Sequence, residues 1–135
     1  MDRTTLLALY ERYLALCNAR DYDGLRDLVA DEVSGSGSAD GRDAYVDRVR
    51  DICTGFPDYR WDLQAVVVED DTIAARLVGR GTHDGQFGHL SPTGRPVEVQ
   101  ELVVYRWADG RVVGCWGDLF PVLRDALTAP AGVTG

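Results

Sequence analysis

The sequence predicts a single α+β domain in which three helices come first and a strongly curved, mostly antiparallel sheet follows. Three observations carry that expectation. Apolar residues recur every three or four positions up to the segment Phe56-Pro57-Asp58, then at alternate positions from Trp61 onward. Turn signals divide the second half into separate strands. Glycines in or beside those strands, at Gly79, Gly81, Gly114 and Gly117, favour bending, and a bent sheet under helices leaves a cavity.

Taken in order, Leu6, Tyr10, Tyr13 and Cys17 form one stripe on a first helix. Asn18-Ala19-Arg20-Asp21 breaks it, and Asp21 suits the N-cap of a second helix carrying Tyr22, Leu25, Leu28 and Val29. Ser34-Gly35-Ser36-Gly37-Ser38 reads as a small-residue edge strand or loop. Gly41-Arg42-Asp43 opens a third helix with Tyr45, Val49 and Ile52 on one face, ended by Phe56-Pro57-Asp58. Trp61, Leu63, Ala65 and Val67 then share one face of a strand. Glu69-Asp70-Asp71 turns into a strand over 73–81, and Pro92-Thr93-Gly94 leads to one over 97–107. Ala108-Asp109-Gly110 makes a hairpin to 111–116. Val122, Leu123, Ala126 and Leu127 form a short closing helix with Pro121 in its first turn. The domain is expected to span 1–128, with 129–135 a disordered tail that has little to pack.

Composition narrows the functional classes. At 135 residues and 45% hydrophobic, the chain can bury a core without disulfide or metal staples. Glu11 and Arg12 interrupt the stretch over 6–16, so it reads neither as a signal peptide nor as a span, and a cytoplasmic location is expected. A net charge of −8 argues against nucleic acid and against an anionic membrane surface. There is no lysine, which excludes lysine Schiff-base chemistry. Cys17, Cys53 and Cys115 are odd in number and far apart, as expected of buried free thiols. His83 and His89, six residues apart on a loop, make no metal pattern, so no metal is expected.

Several segments together resemble the SnoaL-like polyketide cyclases of the NTF2-like superfamily. They are Asn18-Ala19-Arg20-Asp21, Gly41-Arg42, Phe56-Pro57-Asp58, Arg80-Gly81-Thr82-His83-Asp84-Gly85 and Pro92-Thr93-Gly94-Arg95-Pro96-Val97. The series continues with Arg106-Trp107-Ala108-Asp109-Gly110-Arg111-Val112-Val113 and Trp116-Gly117, and it covers roughly residues 6–127. The resemblance implies a cone of helices around a curved sheet, commonly dimeric. It also implies a His-Trp-Asp run on the last strand and a second His on the strand before it, acting as acid and base in an aldol closure. Here the run reads Cys115-Trp116-Gly117, and Val103 falls where the second His would stand. In the related steroid isomerases the position of the base falls near Gly37.

Two carboxylates remain as candidate acid/base groups. Asp118 follows the altered run at a strand end, where it either faces the pocket mouth or caps the last helix. Glu101 alternates with Val99, Val103 and Tyr105, which makes it a carboxylate among apolar neighbours. Tyr13 is a candidate to polarise a substrate carbonyl, a role the resemblance implies for a tyrosine there. Trp61, Phe87, Tyr105 and Trp116 are candidates for an aromatic pocket wall, with His83, Val103 and Cys115 beside them. Each has a plain alternative as core or scaffold.

The expected function is a cofactor-free cyclase or isomerase on a polyketide-type, mostly apolar and polycyclic small molecule, as in antibiotic biosynthesis, in a homodimer. Two alternatives stand beside it. One is an epoxide hydrolase or epoxide-opening cyclase, with Arg76 or Arg80 and Asp62 approximating an Asp–Arg–Asp relay. The other is a relative that binds ligands or partners without catalysis.

Overall fold

Helix α1 (Arg3–Ala19) starts where the Asp2 carboxylate accepts the Thr5 N–H at 2.7 Å, which satisfies one of its orphan donors. It ends at Arg20, in the left-handed region at φ 58. In this computed structural model, residues 2–35 and 41–129 are described. The Asp21 carboxylate caps α2 (Tyr22–Asp27) through the Gly24 N–H at 2.9 Å. Helix α2 is shorter than its pattern suggested. Leu28 closes it, and Val29 belongs to strand β1 (Val29–Gly35). Two adjacent apolar residues cannot distinguish a helix end from a buried strand start. The rest of the Ser-Gly segment, from 36, lies outside the described residues.

Helix α3 (Arg42–Gly55) follows Gly41, whose φ of 92 suits glycine. Strands β2 (Arg60–Glu69), β3 (Thr72–Thr82), β4 (Pro96–Ala108) and β5 (Arg111–Gly117) complete a five-stranded sheet, and α4 (Leu119–Thr128) closes the described chain. The sheet order is β1-β5-β4-β3-β2, antiparallel except for the β1–β5 pair. In the β4–β5 hairpin Asp109 and Gly110 both take positive φ, as a tight right-twisting turn requires.

Strand β4 sets the orientation of the site. Its inward residues Val97, Val99, Glu101, Val103, Tyr105 and Trp107 are all buried, and the residues between them are exposed. On β2 the alternation breaks. A bulge between Leu63 and Ala65 flips the phase, so Val66 and Val68 pack against the core and Val67 is 66% exposed. The expectation that Trp61 and Val67 share a face is therefore corrected. One extra residue reverses every side chain beyond it.

The segments singled out by resemblance act as joints between these elements. Asn18 clamps α1 to β2, its side chain donating to the Trp61 carbonyl at 3.0 Å and accepting the Trp61 N–H at 2.9 Å. Arg42 Nε donates to the Val29 carbonyl at 2.9 Å and ties α3 to β1. Asp58 accepts the Thr82 N–H at 2.6 Å and its hydroxyl at 2.9 Å. Arg95 donates to the carbonyls of Ala126, Leu127 and Ala129, which satisfies the C-terminal end of α4.

Candidate active site

Between the inward face of the sheet and helices α1, α3 and α4 lies a cavity of about 380 Å³. The sheet contributes Trp61, Glu101, Val103, Tyr105, Cys115 and Gly117 to its lining. From the helices come Tyr13 and Cys17 on α1, Tyr45 and Arg48 on α3, and Phe120 and Arg124 on α4. Most of this wall is apolar, with a few polar groups converging on it, as in small-molecule sites generally.

Glu101 is the one carboxylate in the described lining, and it is only 7% exposed. Its Oε1 has no hydrogen-bond partner. Burial pushes its pKa up to about 7, the nearby Asp118 charge adds to the rise, and a hydrogen bond from the Trp61 side chain opposes it. A carboxyl group poised near neutrality can accept a proton and return it.

Facing it from the helices, the Tyr13 and Tyr45 hydroxyls are hydrogen-bonded to each other at 2.5 Å. Burial holds both phenols well above their usual pKa, so they remain neutral donors. One of the two protons is used between them, and the Cys17 thiol beside Tyr13 and the Cys115 thiol beside Tyr45 are weak partners that a ligand oxygen would displace for the other. Tyr13 is held by ring contacts to Tyr10, Tyr105 and Trp107. The sequence pattern places Tyr45 only on the apolar face of the third helix, with Val49 and Ile52. Its role in the lining follows from its pairing with Tyr13, which no local pattern reveals.

The altered family run sits together in space. Val103 and Gly117 pair directly in the β4–β5 ladder, and both line the cavity with Cys115. Burial pushes the Cys115 thiol up to about 12, so it is a poor nucleophile. Cys17 and Cys53 are free as well, and among the described residues no cluster could hold a metal ion.

Other candidates lie elsewhere. Asp118 does not line the cavity. Nor does its side chain cap α4; Oδ1 accepts the Leu102 N–H at 3.0 Å and extends the β4–β5 ladder by one step. Its influence on Glu101 is electrostatic. Trp116, expected in the wall, points to the outer face and is 46% exposed, because it alternates with Cys115. Phe87 is behind the wall and stacks on Phe120 with ring centroids 5.6 Å apart. His83 is fully buried away from the cavity, with Nδ1 2.9 Å from the Thr93 hydroxyl. The relay sketched by Asp62 with Arg76 or Arg80 is also outside. Arg80 bonds Asp62 at 3.2 Å and Glu98 at 2.6 Å on the exposed face, and Arg76 is exposed beside them.

A helix-backed five-stranded sheet with one buried acid in a largely apolar cavity defines a small-molecule protein of the NTF2-like fold. The profile of the SnoaL-like polyketide cyclases matches residues 7–125, and the chain belongs to that family. Among solved structures it is similar to a SnoaL-like polyketide cyclase from Agrobacterium tumefaciens. That likeness has 28% identity over 83% of this chain and 88% of that one, with a TM-score of 0.75. IdmH from Streptomyces antibioticus is 28% identical, over 88% and 96% of the two chains, with a TM-score of 0.73. TsrD from Streptomyces laurentii is 25% identical, over 96% and 99%, with a TM-score of 0.84. Among curated proteins there is no match.

Proposed function

We propose that this chain is a cyclase or isomerase of natural-product biosynthesis, acting on a polyketide-type intermediate by carboxylate acid/base catalysis. The observation that carries the reading is Glu101, buried, lacking a partner on Oε1 and opening into a cavity that also holds the Tyr13–Tyr45 pair. Glu101 takes the proton from a carbon next to a substrate carbonyl, and the tyrosine pair donates to the developing enolate oxygen. The enolate carbon then attacks a second carbonyl, forming the new C–C bond as that C=O π bond opens to an alkoxide, which takes the proton back from Glu101. In the isomerase case Glu101 returns the proton to another carbon of a conjugated enolate. Side chains of this chain alone perform these steps. Asp118 acts on Glu101 through its charge and is a positioning residue.

Proton abstraction is testable without the natural substrate. The protein should speed deuterium wash-in at the α-carbon of 2-tetralone in D2O, and Glu101→Gln should return it to the buffer rate. Equal rates for the two proteins would remove the catalytic reading. Binding of 2-tetralone without exchange would favour the second reading, a binding relative, which the apolar replacements at Val103 and Cys115 support.

A homodimer and a cytoplasmic location are part of the proposal. Val67, Ala74, Val104 and Trp116 pair in one row across four strands of the outer face, all exposed. Such a row suits an isologous two-fold contact. Sedimentation of wild type and Trp116→Asp checks it. Three free cysteines support a reducing compartment. No helix among the described residues is long and apolar enough to cross a membrane.

A further inference from the structure

The protein carries a net charge of −8, yet the two charged groups of the described lining other than Glu101 are both arginines. Arg48, on α3, is half-buried; Arg124, on α4, is exposed, as is the neighbouring Pro121. Exposure thus rises from Glu101 towards Arg124, and the arginine end is the mouth. Among the described residues neither guanidinium forms an ion pair or a side-chain hydrogen bond, whereas Arg26, Arg42, Arg80 and Arg106 all pair with carboxylates.

Arg48 is nevertheless held in place. Its guanidinium carbon lies 4.2 Å from the centre of the Phe120 ring, and Phe120 is stacked in turn on Phe87. A cation resting on an aromatic ring engages the face of the guanidinium and leaves the N–H donors on its edge free. Side-chain entropy is thereby spent in advance, and a planar fork of donors lines the cavity with no acceptor among the described residues. Two like charges lining one cavity favour an anion between them.

We propose that the ligand of this cavity is an apolar acid, an aromatic or hydrocarbon body ending in an oxyanion. Arg48 and Arg124 hold that oxyanion at the mouth, and the body extends inward towards Glu101. The inference rests on the reading of the cavity as a small-molecule site, and it adds the charge and the orientation of the occupant. A carboxylate and a phosphate monoester share the chemistry that the two forks recognise.

Calorimetric titration with three probes of one shape tests it: 2-naphthoate, 2-naphthyl phosphate and neutral methyl 2-naphthoate. The wild type should bind at least one of the anions about tenfold more tightly than the ester. The preferred anion identifies the head group. Arg48→Gln should remove most of the preference and the exposed Arg124 a smaller part, about threefold. The double variant should bind anion and ester alike while its affinity for the ester is unchanged, which shows that the cavity is intact. Ester binding equal to that of both anions in the wild type would overturn the inference and leave the cavity reading standing. A preference that survives the double substitution would overturn it too. Failure of all three probes to bind would remove both readings together.

Discussion

The phenol oxygens of Tyr13 on α1 and Tyr45 on α3 lie 2.5 Å apart at the cavity wall, joining two helices through residues 32 positions apart in the chain. One hydroxyl orients the other, and only the weak Cys17 and Cys115 sulfurs compete with a ligand for the second proton. Tyr13→Phe or Tyr45→Phe should slow deuterium exchange of 2-tetralone by about tenfold to a hundredfold, the usual cost of a lost donor at a developing oxyanion. Stability should fall by about 1 kcal/mol, because the remaining hydroxyl loses its oxygen partner and keeps only a weak thiol one. Denaturant titration beside the exchange assay separates the two effects.

Glu101 couples the site to pH and to stability. Its folded-state pKa is raised to about 7 from an ordinary value of 4.5, so the folded protein binds the extra proton between those values. The protonated form's contribution is fully present below about pH 4.5 and is lost as pH rises through about 7. Glu101→Gln removes this dependence. Above pH 7 the variant should be more stable than wild type by about 3 kcal/mol, a gain that shrinks towards pH 5. Urea denaturation at several pH values measures it. A constant gap across the range would mean that Glu101 is not a buried titrating acid.

Asp118 raises the pKa of Glu101 through its charge and holds the Leu102 N–H through Oδ1. Asp118→Asn keeps an oxygen for that N–H and removes the charge. The acid limb of the exchange pH profile should therefore move to lower pH, with the plateau rate little changed. A lower plateau on an unmoved limb would instead place Asp118 in the chemistry itself.

Gly79 pairs with Trp61 across β2–β3, and a Cβ there would fall inside the Tyr59 hydroxyl. The Tyr59 ring in turn packs edge-on against Trp61, 4.6 Å away, behind the cavity wall. Gly79→Ala should destabilise by about 2 kcal/mol through overpacking. Adding Tyr59→Phe should recover part of that loss in a double-mutant cycle by thermal denaturation.

The segments that carried the family resemblance prove to be mostly joints: Asn18 to Trp61, Arg42 to Val29, Asp58 to Thr82 and Arg95 to the end of α4. That explains why the fold was legible in the sequence. Each joint satisfies backbone groups where two elements meet, and its residue type and spacing are fixed locally. Period-two alternation likewise placed Glu101 on the inward face of β4, because a strand has only two faces.

What the sequence by itself determined is therefore the order of the elements, the capping of α2 by Asp21, the β4–β5 hairpin and the inward side of β4. Only the tertiary structure decided which of the two candidate carboxylates enters the cavity. The bulge after Leu63 turned Val67 outward, and alternation from Cys115 did the same for Trp116. Asp118 went to the Leu102 N–H because the end of a ladder needs an acceptor there. The Tyr13–Tyr45 pair and the meeting of Arg48 with Phe120 arise between helices distant in sequence. Arg48 does fall three residues after Tyr45 and four before Ile52, within the stripe of α3 that faces inward. Its partner on α4 has no such local signal, since contacts between helices depend on how the whole chain packs.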